Sequence, residues 1–338
     1  MQLGADHVRV RVPATSANLG PGFDSLGLAL ALYDEVEVRL VARDDVVVEV
    51  NGEGAGDVPL GEDHLVVRAL RRTMDLAGAV PTGIHMTCHN VIPHGRGLGS
   101  SSAAVVAGIV AARALLAEPR AVDAATVLAL ATEFEGHPDN AAPAIQGGAT
   151  VAWTTDDGPR AVGLDIDPTI EATVLVPDAR LATSRARAAL PEQVSHGDAA
   201  FTAGRAALLV EALARRPELL FDATEDRLHQ PYRAAVLGAS SELLRALRDE
   251  GVPATVSGAG PTVLVLAGPG HRARRDAVLA DLVDETAGWR RISPGIDLTG
   301  ARARRVSGNT GALSSGSSGA AGSHVVPGSP AVRGGSMQ

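Results

Sequence analysis

Pro93-His94-Gly95-Arg96-Gly97-Leu98-Gly99-Ser100-Ser101-Ser102-Ala103 leads into an Ala/Val/Leu-rich stretch that runs to Leu116. Three glycines at alternate positions let the backbone turn through positive φ and approach a ligand closely. The serines follow where a helix begins, so free amides and the positive end of the helix dipole point at one spot. That is an anion cradle, and a hydroxyl within it can ligate Mg2+, a hard cation that prefers oxygen. On its own the loop can also be a glycine turn with a serine cap. A dinucleotide fingerprint fits less well, because Ser100 stands where the third glycine belongs and a second helix, about Val122 to Glu135, follows instead of a returning strand.

Outward from the loop, Gly83 to His89 reads as a strand and Asp63 to Ala77 as a helix. Period-two, β-branched runs at His7 to Val12, Glu35 to Val41 and Val46 to Val50 read as half-buried strands. Beyond Gly147-Gly148, strands are expected at Ala149 to Trp153 and Thr169 to Val176, followed by helices at Ser195 to Arg215 and Tyr232 to Glu250. Short strands at Ala254 to Val256 and Thr262 to Leu266, a helix at Arg272 to Glu285 and a strand at Trp289 to Ile292 complete an α+β pattern. The expected division is 1–165, 166–305 and a tail at 306–338, where 16 of 33 residues are Gly or Ser and none is acidic. Such a composition cannot offset its ordering entropy by burial, so disorder is expected there.

Composition narrows the chemistry. The 338 residues carry a formal net charge of −9, with 45% hydrophobic but only 2% aromatic residues, so the core must be built from small aliphatic side chains. All 30 basic residues are arginine. Without lysine, a Walker-type loop, a Schiff-base enzyme and a protein-kinase-like ATP site are excluded. No basic cluster or aromatic platform is available for nucleic acid. One cysteine, Cys88, and an N-terminus without signal-peptide pattern lead to an expected cytoplasmic location, and no apolar run is long enough for a membrane span. His85, Cys88 and His89 do not make a metal site, because on a strand Cys88 faces away from both histidines.

Two further glycine motifs flank the first. Pro13-Ala14-Thr15-Ser16-Ala17-Asn18-Leu19-Gly20-Pro21-Gly22-Phe23-Asp24 is a compact polar loop after a strand, and Ser257-Gly258-Ala259-Gly260-Pro261-Thr262 lies between two strands. Together with the central loop they resemble the small-molecule kinases that include galactokinase, homoserine kinase, mevalonate kinase and phosphomevalonate kinase. Within that superfamily the first string is similar to the homoserine kinase family almost letter for letter. The three motifs span nearly all of residues 8 to 305.

The resemblance implies a two-domain α+β fold, with a ribosomal-protein-S5-like N-terminal nucleotide domain containing a left-handed β-α-β unit and a ferredoxin-like C-terminal domain. It implies transfer of the γ-phosphate of ATP, with Mg2+, to the hydroxyl of L-homoserine, yielding O-phosphohomoserine for threonine synthesis. Residues Pro93, His94, Gly95, Arg96, Gly97, Leu98, Gly99, Ser100, Ser101, Ser102 and Ala103 would form the ATP site. In Glu135-Gly136-His137-Pro138-Asp139-Asn140, the resemblance gives His137 and Asn140 to the substrate and Asp139 to support of the loop. Asn18 and Asp24 would complete the amino-acid pocket, with Asp24 on the ammonium. Arg187 and Arg233 would take the carboxylate, and Thr183 would lie near the transferred phosphate. Related kinases hold an aspartate in the place of Asn140, and an amide cannot take a proton from an alcohol at neutral pH. Asn140, Thr183 and Arg187 would then act by positioning and charge stabilisation. The family's metal-binding glutamate falls on Ala129, so the expected Mg2+ ligands are Ser101 and Glu133, one helical turn along, with Glu135 as the nearest competitor. Small molecules are the expected partners, and a homodimer is the assembly to test. Alternatives are a kinase for another small alcohol and a non-catalytic metabolite sensor on the same fold.

Overall fold

The computed structural model describes residues 2–80, 83–283 and 288–306. Residues Met1–Val306 form one compact unit. The expected tail therefore lies, beyond Val306, outside the described residues.

Alternation of valine and arginine starts the first sheet. In β1 (His7–Ala17), Val8, Val10 and Val12 are buried while Arg9 and Arg11 point outward. It pairs antiparallel with the 16-residue β2 (Leu26–Val41). The end of β2 nearer Val41 pairs with β4 (Gly83–Asn90), and its start pairs with β5 (Ala149–Thr155), which pairs with β6 (Gly158–Leu164). The strand β3 (Val46–Gly52) lies parallel to β4 after a crossover through α1 (Leu65–Leu76). Finally β11 (Arg302–Arg305) returns to the open side of β1, giving the order β11-β1-β2-β4-β3 with β5 and β6 branching from β2. On β4, Cys88 is buried while His85 and His89 are exposed, so the facing read from strand parity holds.

The helix α2 (Ser100–Leu115) begins directly at the glycine loop and buries ten of its residues. It has no polar stripe because it is enclosed by β1, α1 and α3 (Ala124–Glu135). Gly108 sets the approach of α1, since a Cβ there would stand 2.3 Å from the Val66 carbonyl oxygen.

The second sheet runs β10-β7-β9-β8, with β7 (Glu171–Pro177), β8 (Ala254–Val256), β9 (Val263–Ala267) and β10 (Trp289–Ile292) all antiparallel to their neighbours. In chain order these read as strand, helices, two strands, helix, strand, with the first strand central. That is the split β-α-β arrangement of ferredoxin-like layers. The helices are α5 (Thr183–Ala188), α6 (His196–Ala214), α7 (Leu220–Ala223), α8 (Gln230–Leu237), α9 (Ala239–Asp249) and α10 (Arg272–Leu282). The single helix expected over 232–250 is two, because Gly238 takes φ 54° and ψ −125° between them. The α4 helix (Ala141–Gln146), α5, α7, β6 and β11 were not expected from the sequence. No helix among the described residues is long and apolar enough to cross a membrane.

Candidate active site

The three glycine motifs meet. Thr15 N–H donates to the Leu98 carbonyl at 3.1 Å, and Gly258 N–H donates to that of Ala17 at 3.0 Å. Ser257 Oγ is 2.6 Å from the Gly97 carbonyl oxygen and 2.8 Å from Ser16 Oγ. Gly95, Gly97 and Gly99 all take positive φ, between 65° and 76°. A Cβ on Gly97 would lie 2.3 Å from the Ser257 carbonyl oxygen, so only glycine lets the central loop lie against the third motif.

These loops border a cavity of about 310 Å³ lined by Gly95, Gly97, Gly99, Ser100 and Ser101 on one side and by Asn18, Asp24, His137, Asn140, Thr183, Arg187 and Arg233 on the other. Every residue assigned to the amino-acid substrate therefore faces one space. Asn18 and Asp24 are non-glycine residues at φ 70° and 53°, a strained conformation that persists only where the surroundings enforce it. Enforcement comes from Asn18 itself, whose Oδ1 accepts from Asp24 N–H at 2.9 Å and whose Nδ2 donates to the Gly258 carbonyl at 2.8 Å. Asn140 stands at the start of α4, its Oδ1 accepting from Thr15 Oγ1 at 2.8 Å. His137 Nδ1 is 2.5 Å from Oδ1 of buried Asp139, a bond that raises the imidazole above its ordinary value.

Thr183 and Arg187 lie one turn apart on α5. Arg187 forks onto Asp24 at 2.9 and 3.1 Å, so the two residues expected to hold opposite ends of a zwitterion hold each other. Arg233, on α8, is only 2% exposed, and its guanidinium is bonded to the Ala186 carbonyl at 3.1 Å and to His229 Nδ1 at 3.2 Å. Burial lowers its affinity for a proton relative to a free guanidinium, with Arg187 adding repulsion. An incoming anion relieves both costs.

A second cavity, about 420 Å³, shares Gly95, Ser100 and Ser101 and continues between α1 and α2. His94 and Ala103 line it with Asp34, Val58, Pro59, His64, Leu65, Cys88 and Asn90. The sequence reading missed those seven, which are spread over β2, β4, the stretch before α1 and the first residue of α1 and share no local motif. Pro93 and Leu98 are buried supports, and Arg96 turns away to bind the carbonyls of Pro177 at 2.8 Å and Asp178 at 2.9 Å. Burial pushes the Cys88 thiol up to about 12, with nearby Asp34 adding to it.

Asp34 accepts from the N–H groups of Val91 and Ile92 through one oxygen, at 2.6 and 2.9 Å, while burial pushes its carboxyl up to about 6 from 3.8. A carboxyl raised on folding supports the fold below its unfolded value and loses that support as pH rises through the folded value. Asp34 therefore costs about 3 kcal/mol at neutral pH, a cost that builds between roughly pH 4 and 6. Asp34→Asn keeps an oxygen for both N–H groups, so thermal melts should show a higher Tm at about pH 7.5 and no gain at about pH 4. A lower Tm at both would refute this account.

Glu133 is not brought to the site. It points outward from α3 and is clamped by Arg72 at 3.0 and 3.2 Å. Glu135, two residues on, lines the 310 Å³ cavity and accepts from Ser101 Oγ at 2.6 Å and Ser102 Oγ at 2.5 Å. This corrects the placement expected for Glu133, because two residues along a helix rotate a side chain by about 200°. Among the described residues no group of three or more His, Cys, Asp and Glu converges. A carboxylate with hydroxyls at a phosphate cradle fits Mg2+, which is held by one or two carboxylates together with phosphate oxygens and water.

The GHMP kinases N terminal domain family matches residues 64–148, and GHMP kinases C terminal matches residues 205–284. The homoserine kinase of Streptomyces coelicolor is 54% identical over 297 residues, covering 87% of this chain and 93% of that protein. The homoserine kinase of Streptomyces avermitilis is 52% identical over 297 residues, covering 87% and 94%. The crystal structure of homoserine kinase from Cytophaga hutchinsonii aligns with a TM-score of 0.79 at 27% identity, over 90% of this chain and 99% of that one. With half its residues shared along nearly the full length of such relatives, and their fold, the chain belongs to the homoserine kinase family of GHMP kinases.

Proposed function

We propose that this chain transfers the γ-phosphate of ATP to the side-chain hydroxyl of L-homoserine. The observation that carries this reading is the single cavity in which a glycine-serine anion cradle faces Asp24, Arg187 and Arg233. An amino-acid zwitterion offers an ammonium to the carboxylate and a carboxylate to the arginines, so Asp24 and Arg187 exchange partners instead of losing them. Asn140, fixed by Thr15, would hold the hydroxyl toward the cradle. Catalysis would come from alignment and from donors aimed at the transferring group, since neither Asn140 nor Thr183 is a base at neutral pH. Ser101 and Glu135 would hold Mg2+, which when bound neutralises phosphate charge. The adenosine part would enter the 420 Å³ cavity. A boundary near residue 165 follows the change of sheet between β6 and β7. A cytoplasmic location accords with the free thiol of buried Cys88.

Purified protein with ATP and Mg2+ should release ADP with L-homoserine and not with galactose or mevalonate. Nucleotide binding without turnover on any acceptor would favour the sensor reading. Arg187→Ala and Arg233→Ala should each raise the KM for homoserine by about tenfold or more. Normal kinetics in both would remove them from the carboxylate site.

A further inference from the structure

Three arginines stand close together on α1, and they are not alike. Arg71 grips Glu62 with two bonds of 2.6 Å, and Arg72 grips Glu133 with two of 3.0 and 3.2 Å. Arg68 makes no ion pair and no side-chain hydrogen bond among the described residues, although Glu62, Asp75 and Glu133 line a cavity with it; its guanidinium rests 5.7 Å from the centre of the Phe134 ring. It lines the 420 Å³ cavity together with Gly95, Ser100 and Ser101, and Phe134 lines the neighbouring 310 Å³ cavity. Arg68 thus stands on an aromatic face at the wall of the space that leads into the anion cradle.

A polyphosphate carries more negative charge than one divalent cation cancels, and this chain has no lysine to supply the rest. Other arginines near the cradle are engaged. Arg96 is tied to the carbonyls of Pro177 and Asp178, Arg187 is paired with Asp24, and Arg233 is buried against the Ala186 carbonyl. A planar fork that stacks on a ring while leaving its N–H groups free is suited to phosphate oxygens. We propose that Arg68 binds the polyphosphate chain of the nucleotide, held in position by Phe134. The proposal rests on the reading that the 420 Å³ cavity takes the nucleoside.

The test is calorimetric titration of the full chain, as wild type, Arg68→Ala and Arg68→Lys, with ATP, ADP and adenosine in turn. Arg68→Ala should weaken ATP and ADP by about tenfold and leave adenosine within about twofold, and Arg68→Lys should recover most of the loss. The ATP difference between wild type and Arg68→Ala should also shrink at high salt. Unchanged ATP affinity in Arg68→Ala, or an equal loss for adenosine, would overturn the assignment while leaving the nucleotide cavity in place. If the wild type bound neither ATP nor adenosine, the reading of the cavity itself would fail.

Discussion

Glu135→Gln is expected to lower kcat by about a hundredfold or more and to shift the Mg2+ concentration needed for half-maximal rate upward, with little change in the KM for homoserine. Glutamine keeps the length and an oxygen that can accept from one serine, while its NH2 can donate to the other once that hydroxyl rotates, so both contacts can be kept while the negative charge is lost. On the proposal that Glu135 holds Mg2+, the variant would lose the hard anionic ligand beside the glycine-serine loop. Glu133→Ala provides the contrast, for it removes an exposed ion pair with Arg72 whose contribution to stability is about 0.5 kcal/mol. Its rates and Mg2+ dependence should match the wild type. Initial rates at graded Mg2+ would decide between the two glutamates. A normal Mg2+ curve for Glu135→Gln beside a shifted one for Glu133→Ala would return the role to Glu133.

Gly99→Ala is the second large effect, for reasons of space and backbone together. Gly99 takes φ 67°, where a Cβ is strained by roughly 1–2 kcal/mol. That Cβ would also stand 1.9 Å from Thr15 Oγ1 and 3.2 Å from Asn140 Oδ1. Thr15 must then move, Asn140 loses its 2.8 Å bond, and the first turn of α2 shifts away from the cavity. A displacement of about 1 Å at reacting groups can cost roughly a hundredfold in rate, so kcat/KM should fall by at least that much, with stability lower by about 2–4 kcal/mol. Gly95→Ala should be milder for the fold, since its Cβ would meet no protein atom nearer than 3.7 Å. Steady-state kinetics with thermal melts on both variants would check this; near-normal activity in Gly99→Ala would show that Thr15 does not fix Asn140.

Most strands and long helices were legible because their periodicity is local. The Val/Arg alternation of β1 needs no partner to be read, and neither does the change to a continuous apolar run at α2. The glycine-serine loop was legible as an anion site for the same reason. What was not legible depends on contacts distant in sequence. Arg96, in the middle of the loop, reads as part of the ATP site until Pro177, at the end of β7, and Asp178, just after it, are seen to offer it their carbonyls. The sequence alone cannot separate Glu133 from Glu135 either, because the choice depends on which side of α3 Arg72 occupies. The break at Gly238 was obscured by continuing helical periodicity on both sides. The Pro- and Gly-containing β6 carries too little β-branched content to announce a strand, yet β5 supplies its partner.

Because β11 lies on β1, the last described strand to be made completes a sheet begun some 290 residues earlier, and Val306 N–H closes onto the His7 carbonyl at 2.9 Å. During synthesis, β1 emerges among the first elements and its outer edge waits for Arg302–Arg305 to leave the ribosome. An unpaired edge is a template for other chains, and here the alternating Arg9 and Arg11 give the waiting edge a charged face that discourages such pairing. When Arg302–Arg305 arrives, the register sets Arg304 opposite Arg9 and Arg302 opposite Arg11, so four arginines share this edge of the sheet and Glu37 and Glu35 on β2 are the counter-charges beside them.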